Sequence, residues 1–381
     1  MLHNEQVYTN AKIVLADEVI NGSVVVRDGK IVAIDSGISQ VSHAKDWQGD
    51  YLMPGFVELH TDNLEKYMNP RPGVDWPSDS AVMAHDAQII GAGITTVFDA
   101  LSIGDVNPKG YRLKQLPRMV EAIQESMNLG FTRSEHFLHL RCEVSHERTL
   151  EIFEQLIGNS MVHLVSLMDH TPGQRQFVKL EKYREYYQGK YHLSNDEMEA
   201  FIIKQKASAE KFSEPNRLAI AKICQDKGLA MASHDDATTE HVEESAGFGM
   251  SIAEFPTTHT AADKSHELGL KVLMGAPNIV RGGSHSGNIA AADLVKKGVL
   301  DILSSDYYPA SLLAAVYRMH NEELCDLPSA VATITRLPAQ AANLLDRGEI
   351  RLGLRADMVR VKPTANQFVV AEVFNQGNRV F

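Results

Sequence analysis

Side chains that commonly bind metal ions occur at the ends of separate apolar segments of the sequence. They are His60, Asp62, Glu143, His170, His234 and Asp306. A barrel enzyme takes metal ligands from the carboxyl ends of several strands, so this order predicts that the six side chains meet at one end of a barrel. Imidazole and carboxylate ligands together suit Zn²⁺, with Mn²⁺ and Fe²⁺ as alternatives. The sequence therefore predicts a site for two divalent ions.

The elements that would position these ligands are eight short apolar runs, separated by helix-like stretches. The runs are Phe56–Leu59, Ile94–Ala100, Phe137–Val144, Val162–Met168, Leu229–Ser233, Ser251–Phe255, Lys271–Met274 and Val299–Leu303. Alternating strands and helices are typical of parallel βα units, and eight such units close a barrel. We therefore expect an α/β fold with a (β/α)8 TIM-type barrel over residues 54–346.

Side chains two residues apart on a strand point to the same face, and this rule orients the candidate ligands. His60 and Asp62 would both point into the barrel, with Leu59 and Thr61 towards the helices. The same alternation gives the third run one polar face, made by His139, Arg141 and Glu143. A single His-x-Asp is weak evidence, because a histidine at a strand end is more often a hydrogen-bonded turn residue. Ligand types at five separate strand ends make a metal site the better interpretation.

Three other acidic residues lie near these strand ends. Asp99, on the second run, is expected to be structural. Asp235 and Asp236 directly follow His234, and the sequence allows both support of the ligands and exposure on a solvated loop.

The two ends of the chain have a β-rich pattern of their own. Short β-like runs alternate with turn signals such as Asp28-Gly29 over residues 6–53, and the pattern returns in Met358–Val361 and Val369–Val373. We expect residues 1–53 and 347–381 to form one small β-sandwich domain. The long segment after His170 contains a capping-box pattern at Ser194 to Glu197, ahead of a helix, and is expected to lie over the barrel mouth.

The composition restricts the partners and the location of the protein. A formal charge of −12 argues against nucleic acid and anionic membrane surfaces, so an anionic small molecule would need a local cationic patch or metals. Cys142, Cys224 and Cys325 are widely spaced, which argues against a disulfide framework and a zinc knuckle. Without a signal-peptide pattern or a membrane-spanning run, a cytoplasmic protein is expected. A homodimer is expected only as the common state of soluble enzymes.

Several of these features together resemble the amidohydrolase superfamily. They are the Pro54-Gly55 start of the first barrel strand, the helix expected over Thr333–Leu345 and the run Ile350–Asp357 that follows it. The resemblance implies a metal-dependent hydrolase, and the sequence departs from it twice. Asp62 stands where a second histidine is usual, and no lysine occurs between Lys114 and Lys179 to serve as the usual carboxylated bridge. Glu143 is then expected to bridge the two ions.

Both departures resemble one branch of that superfamily, the ribose-triphosphate diphosphatases of the carbon–phosphorus lyase pathway of phosphonate breakdown. The stretches His60–Pro77, Arg281–Asn288 and Ser304–Pro309 carry this resemblance. It implies hydrolysis of a phosphorylated ribose 5-triphosphate to the 5-phosphate, with release of pyrophosphate. Asp306 would then accept a proton from a metal-activated water that attacks phosphorus.

A triphosphate needs positive charge and hydrogen-bond donors, and the sequence offers both at the expected mouth of the barrel. The loop after the seventh strand is a common phosphate site in such barrels, and here it is rich in glycine and serine. The expected substrate-binding residues are Lys66, Arg71, Arg141, Arg281, Ser284, His285 and Asn288. A flexible Gly/Ser connector is the plain alternative for this loop. The rival functions are a deacetylase, deaminase or cyclic amidase on the same metals, and a metal-free binding protein.

Overall fold

The computed structural model describes residues 5–104, 112–177, 180–284 and 287–381. Its strands β1–β16 are Glu5–Val14, Val19–Arg27, Lys30–Ser36, Lys45–Asp46, Tyr51–Pro54, Phe56–Thr61, Ile94–Ile103, Glu135–Glu143, Val162–Met168, Ala230–His234, Ile252–Glu254, Lys271–Gly275, Ile302–Ser304, Met358–Pro363, Phe368–Asn375 and Asn378–Arg379. Its helices α1–α13 are Leu64–Met68, Ser78–Gly91, Arg112–Asn128, Thr149–Leu156, Leu180–Tyr191, Asn195–Lys227, Thr239–Gly247, His259–Glu267, Ala276–Arg281, Ala291–Lys296, Ser311–Asn321, Leu327–Ala332 and Arg336–Ala341.

Strands β6–β13 form the barrel, and all eight correspond to the predicted apolar runs. They are parallel and lie side by side in chain order. The first and last strands meet where Thr61 pairs with Asp306, and the Thr61 hydroxyl donates to the Asp306 carbonyl over 2.7 Å. The predicted (β/α)8 architecture is therefore confirmed. The helix expected over Thr333–Leu345 is shorter, since α13 covers only Arg336–Ala341.

The barrel interior is filled by apolar side chains from nearly every strand, including Val57, Leu164, Ala232 and Leu273. Leu59 belongs to the same interior group, so the expectation that it faces the helices was wrong. The pairing of β6 with β7 shifts register between Glu58 and Thr61. A β-bulge of this kind interrupts the strict alternation of a strand and re-aims neighbouring side chains. Strand β6 can thus turn its terminal polar residues into the barrel mouth above a Leu59 that fills the core.

The remaining strands form a second sheet from both ends of the chain, in the order β16-β15-β14-β5-β1-β2-β3. It curls around its own core, where the Tyr8 ring lies 5.2 Å from that of Trp47 and 5.1 Å from that of Phe374. Ile31 exchanges backbone hydrogen bonds with Gly353 and Leu354, which brings β3 against the segment before β14. The joining of both chain ends in one sheet agrees with the prediction. The exact bounds of the two domains stay a prediction.

The chain passes directly from this sheet into the barrel at Gly55, between β5 and β6. A side chain at this position would meet the Thr95 hydroxyl at 2.2 Å, so the crossing needs glycine. The Gly55 amide donates to the Asp357 carbonyl, which ties the first barrel strand to the C-terminal strands.

The segment after β9 lies at the barrel mouth, as predicted. Helix α6 begins with the predicted capping box, in which Ser194 and Glu197 satisfy each other's backbone amides. An aromatic cluster that includes Phe177, Tyr187 and Phe201 packs α5 against the start of α6. No described helix is long and apolar enough to cross a membrane.

Candidate metal and substrate site

A cavity of about 330 Å³ opens at the carboxyl ends of the barrel strands. Five of the six predicted metal ligands line it: His60, Asp62, His170, His234 and Asp306. Asp235 lines it as well, and so do the cationic residues Arg112, Arg141, Lys190 and Arg281. The sixth predicted ligand, Glu143, is buried beneath the lining. The structure therefore brings most of the predicted site together.

Glu254, at the end of β11, accepts hydrogen bonds from two of the histidines on the side away from the cavity. Its carboxylate oxygens lie 3.0 Å from Nδ1 of His60 and 3.1 Å from Nδ1 of His234. Because a carboxylate only accepts hydrogen bonds, both Nδ1 atoms carry the proton and both Nε2 atoms are left with a lone pair. Burial alone would raise the pKa of Glu254, but the hydrogen bonds from His234 and His60 help to hold it well below its ordinary value. Glu254 thus fixes the tautomer in which an imidazole binds metal through Nε2.

His170 is held in the same way by Glu143. Nδ1 of His170 lies 2.6 Å from one Glu143 oxygen, and the other oxygen accepts from the Ser145 hydroxyl at 2.7 Å. Nε2 of His170 points to Asp235, with 3.8 Å between the nitrogen and the carboxylate oxygen. These contacts are those of a residue that orients His170. The bridging role expected of Glu143 stays a prediction.

Three of the lining residues have the spacing that a metal ion requires. Oδ2 of Asp235 lies 3.8 Å from Nε2 of His170 and 3.6 Å from Nε2 of His234, and the three ligand atoms are all within 4.8 Å of one another. Ligands about 2.0–2.2 Å from a tetrahedral ion stand roughly 3.4 Å apart. Burial lowers the pKa of His60, which keeps that neighbouring imidazole neutral and able to coordinate. The side chains present therefore fit a divalent ion.

Three residues within two positions of the end of a barrel strand have a left-handed backbone. The φ angles are +58° at Asp235, +53° at Phe255 and +54° at Asp306. Such a conformation is strained for a residue other than glycine and persists where the surroundings require it, often at functional sites. Here it turns two carboxylates and one aromatic ring into the same cavity.

The side chains of Asp306 and Arg141 both line the cavity, and their opposite charges interact. Burial, together with the negative charge of Asp62, raises the pKa of Asp306 to about 7, and Arg141 partly opposes this rise. The buried Nε of Arg141 has no hydrogen-bond partner among the described residues. A buried donor without a partner is costly, and the cationic side chain of Arg141 lines the cavity.

The predicted substrate-binding residues differ in where they lie. Arg281, Ser284 and Asn288 line the cavity together with Arg141. Lys66 and Arg71 are both exposed and neither is among the lining residues, although Lys66 bonds the carbonyl of Tyr307, which is one of them. His285 lies outside the described residues.

Several functional residues were missed by the sequence reasoning. Glu254 lies near the end of the sixth apolar run and is the last residue of strand β11, so the rule that found the other ligands would have found it. Tyr186, Tyr187 and Lys190 line the cavity from α5, and no spacing in the sequence marks them. Asp235, which the sequence left open, is a member of the site.

The barrel and its cluster of histidines and carboxylates define a metal-dependent hydrolase of the amidohydrolase type. No family model matches the chain. It is 53% identical to the alpha-D-ribose 1-methylphosphonate 5-triphosphate diphosphatase of Escherichia coli (strain K12), over 98% of this chain and 100% of the relative. The chain therefore belongs to this diphosphatase family, within the amidohydrolase superfamily.

Solved structures of lower identity share the fold. N-acetyl-D-glucosamine-6-phosphate deacetylase from Mycobacterium smegmatis has a TM-score of 0.63 at 16% identity, with 99% of this chain and 100% of that chain covered. Molinate hydrolase has a TM-score of 0.66 at 13% identity, with 99% and 95% covered. The agreement extends over the barrel and the second sheet.

Proposed function

We propose that the protein hydrolyses alpha-D-ribose 1-methylphosphonate 5-triphosphate to the 5-phosphate and pyrophosphate during phosphonate breakdown. Identity to the E. coli diphosphatase over nearly the whole chain supports this substrate. The observation that carries the proposal is the cavity itself, which combines metal-binding side chains with the cationic residues Arg141 and Arg281. An acidic protein needs such a local cation to hold a polyanion.

Two divalent ions, Zn²⁺ or else Mn²⁺ or Fe²⁺, would be held by the lining carboxylates and imidazoles. The proposed ligands are His60, Asp62, His170, His234, Asp235 and Asp306. When bound, such ions make water acidic enough to act as a nucleophile at neutral pH and offset charge on phosphate oxygens. Glu254 and Glu143 hold the imidazoles by Nδ1 and thereby keep each Nε2 directed away from them.

Asp306 is proposed to accept the proton of the attacking water. Its carboxylate lies in the cavity among the other proposed ligands, and a carboxylate beside a metal-activated water can act as its general base. The Asp306 carbonyl is held by Thr61, so the residue is fixed against the first barrel strand. From that position the carboxylate can take a proton and release it to solvent through the cavity opening.

The cationic residues are proposed to bind the phosphates. Arg141 approaches from the barrel interior, while Arg281 lies at the end of α9, next to the backbone of Gly283 and Ser284. Guanidinium groups form paired hydrogen bonds with phosphate oxygens, and glycine allows backbone amides to approach them closely. Lys66 is proposed to contribute from the cavity edge. The contacts predicted for Arg71 and His285 stay predictions.

The test is an assay of the purified protein with a ribose 5-triphosphate, in the presence of Zn²⁺, Mn²⁺ or Fe²⁺. We expect stoichiometric release of pyrophosphate. The same preparation is given N-acetylated sugars, amino-purines and hydantoins, with acetate, ammonia and ring opening as readouts. Turnover of one of these, without pyrophosphate release from the triphosphate, would replace the proposal with an amidohydrolase activity on the same metals.

A further inference from the structure

A second group of histidines and carboxylates lies outside the cavity, between the barrel wall and helix α2. Asp99 on β7 accepts from Nε2 of His85 at 2.7 Å and from Nδ1 of His136 at 2.7 Å. Asp86 lies 3.4 Å from Nε2 of His136. His85, Asp86 and His136 are completely buried, and Asp99 is 1% exposed. The mechanism described above makes no use of them.

The group has the residue types of a metal site, yet its ligand atoms are already engaged. Both oxygens of Asp99 hold a histidine, and Nδ1 of His85 lies 3.0 Å from the side-chain amide of Asn63. Asp86 also accepts from the backbone amides of Arg133 and Ser134. An ion would have to break several of these bonds in a region closed to solvent. The contacts are those of a hydrogen-bonded chain.

The direction of each hydrogen bond follows from the charges. Although burial alone would lower it, Asp99 and Asp86 raise the pKa of His136 to about 9, so this ring is charged and donates from both nitrogens. Asp99 is a carboxylate, because the two histidines outweigh burial and hold its pKa far below the ordinary value. His85 then donates from Nε2, which leaves its Nδ1 to accept from Asn63. The hydrogen bonds therefore fix the position of every proton in this network of side chains.

Asn63 connects this chain to the active site, because it directly follows the proposed ligand Asp62. Its side-chain nitrogen donates both to His85 and to Gln88, the latter at 2.8 Å. Its side-chain oxygen is therefore turned the other way, where it accepts from Nζ of Lys66 at 3.4 Å. Lys66 also bonds the carbonyl of Tyr307, the neighbour of Asp306. The series of hydrogen bonds that begins at the buried Asp99 group thus ends between the loops that follow the first and last barrel strands.

We propose that His85 is a positioning residue, which sets the orientation of Asn63 and through it the places of Asp62 and Lys66 at the cavity. Nδ1 of His85 accepts one amide proton of Asn63, so the side-chain oxygen of Asn63 is the atom presented to Lys66. Asp99 and His136 fix His85 in the tautomer that does this. The Lys66 part of the inference rests on the proposed function, whereas the Asp62 part requires only a metal site.

Two substitutions of His85 separate positioning from simple support of the fold. In His85→Gln the amide lies near the place of Nε2, so the bond to Asp99 is kept and the acceptor for Asn63 is lost. In His85→Asn the oxygen lies near the place of Nδ1, so the acceptor is kept and the bond to Asp99 is lost. Asn63→Ala removes the far end of the chain without disturbing Asp99, and serves if the histidine variants fail to fold.

The measurements are the dissociation constants for Zn²⁺ and for inorganic pyrophosphate on the zinc-loaded protein, together with the midpoint of thermal unfolding. We expect His85→Gln and Asn63→Ala to raise both dissociation constants by about tenfold or more, as for other groups that orient metal ligands. His85→Asn should lose more thermal stability and less affinity. Equal loss of affinity in both histidine variants, in proportion to lost stability, would overturn the proposal, as would unchanged constants in Asn63→Ala.

Failure of the proposed function would look different. If the wild-type protein binds Zn²⁺ but releases no pyrophosphate from a ribose 5-triphosphate, the diphosphatase proposal fails. The Zn²⁺ constants of the three variants would still decide whether His85 positions Asp62.

Discussion

The two histidine–carboxylate groups of this protein contain the same residue types and differ in which atoms are left free. In the cavity group, Glu254 and Glu143 use only the Nδ1 atoms of His60, His234 and His170. In the group around Asp99, His85 and His136 use both ring nitrogens. The first group has ligand atoms to offer and an opening to solvent, and the second has neither. Composition alone would assign both to metal.

The comparison shows that a carboxylate hydrogen-bonded to a histidine has opposite consequences in the cavity group and in the Asp99 group. One contact at Nδ1 prepares Nε2 for a ligand, whereas contacts at both nitrogens close the ring into a network. The cavity also contains the Nε of Arg141, which has no hydrogen-bond partner in the described part of the chain, while the polar atoms of the second group are satisfied. We therefore treat the first as the reacting centre and the second as its support.

The largest effect expected in the cavity group follows from Asp306→Asn. The amide retains the size of the side chain but cannot accept the proton of the attacking water. Loss of a general base typically lowers turnover by about 10²–10⁴-fold. The check is kcat for pyrophosphate release, with metal content measured on the same sample. Near-native turnover at full metal content would make Asp306 a ligand or a bystander.

Glu254→Gln should weaken metal binding, since one amide oxygen cannot accept from both Nδ1 atoms. Its amide nitrogen would face an Nδ1 proton and favour the wrong tautomer of one histidine. Loss of an orienting carboxylate typically costs about 10–100-fold in metal affinity. Competition with a chromogenic chelator measures it, and Glu243→Gln is the control, because Glu243 is 58% exposed and pairs with Lys264 on the surface. Equal affinities in the two variants would contradict the assignment of Glu254.

Arg281→Ala should lower kcat/KM for the triphosphate by roughly 10–100-fold, the usual cost of one charge-assisted contact of about 1.5–3 kcal/mol. Arg379→Ala is the matched control, since Arg379 is exposed on β16 of the second sheet and does not line the cavity. The loss in Arg281→Ala should shrink for analogues with fewer phosphates. Equal losses for a triphosphate and an uncharged ester would assign Arg281 to the fold.

The smallest effect on activity is expected in the Asp99 group, where the change is one of stability and depends on pH. The pKa of His136 is raised to about 9 in the folded protein, so its stabilising charge is fully present below an unfolded pKa of about 6.5 and is lost as the pH rises through about 9. Between pH 6 and pH 9.5 the free energy of unfolding should fall by up to about 3 kcal/mol more in the wild type than in His136→Gln. Urea titrations at the two pH values measure this difference. Parallel changes in both proteins would mean that His136 is neutral.

Much of the fold was predictable, because eight apolar runs with helix-like spacers leave few other architectures for a chain of this length. The inward face of Arg141 and Glu143 followed from strand alternation. The same rule failed at Leu59, since the bulge in β6 depends on its pairing with β7 and leaves no mark in the local sequence.

The site, like the fold, was predictable where the local sequence marks it and not where it depends on tertiary geometry. His60, Asp62, His170, His234 and Asp306 were found by their positions after apolar runs, and the cavity contains all five. The role of Asp235 depends on a left-handed backbone at the strand end, and the contact of Glu143 with His170 depends on neighbouring strands. Both are consequences of tertiary geometry.

The central claim is that the cavity group binds metal and the Asp99 group does not. Anomalous diffraction from crystals grown with Zn²⁺, collected on both sides of the zinc absorption edge, tests it directly. We predict anomalous density beside His170, His234 and Asp235 and none between His85 and His136. Anomalous density at the Asp99 group would contradict the account, and so would a cavity without anomalous density at full zinc content.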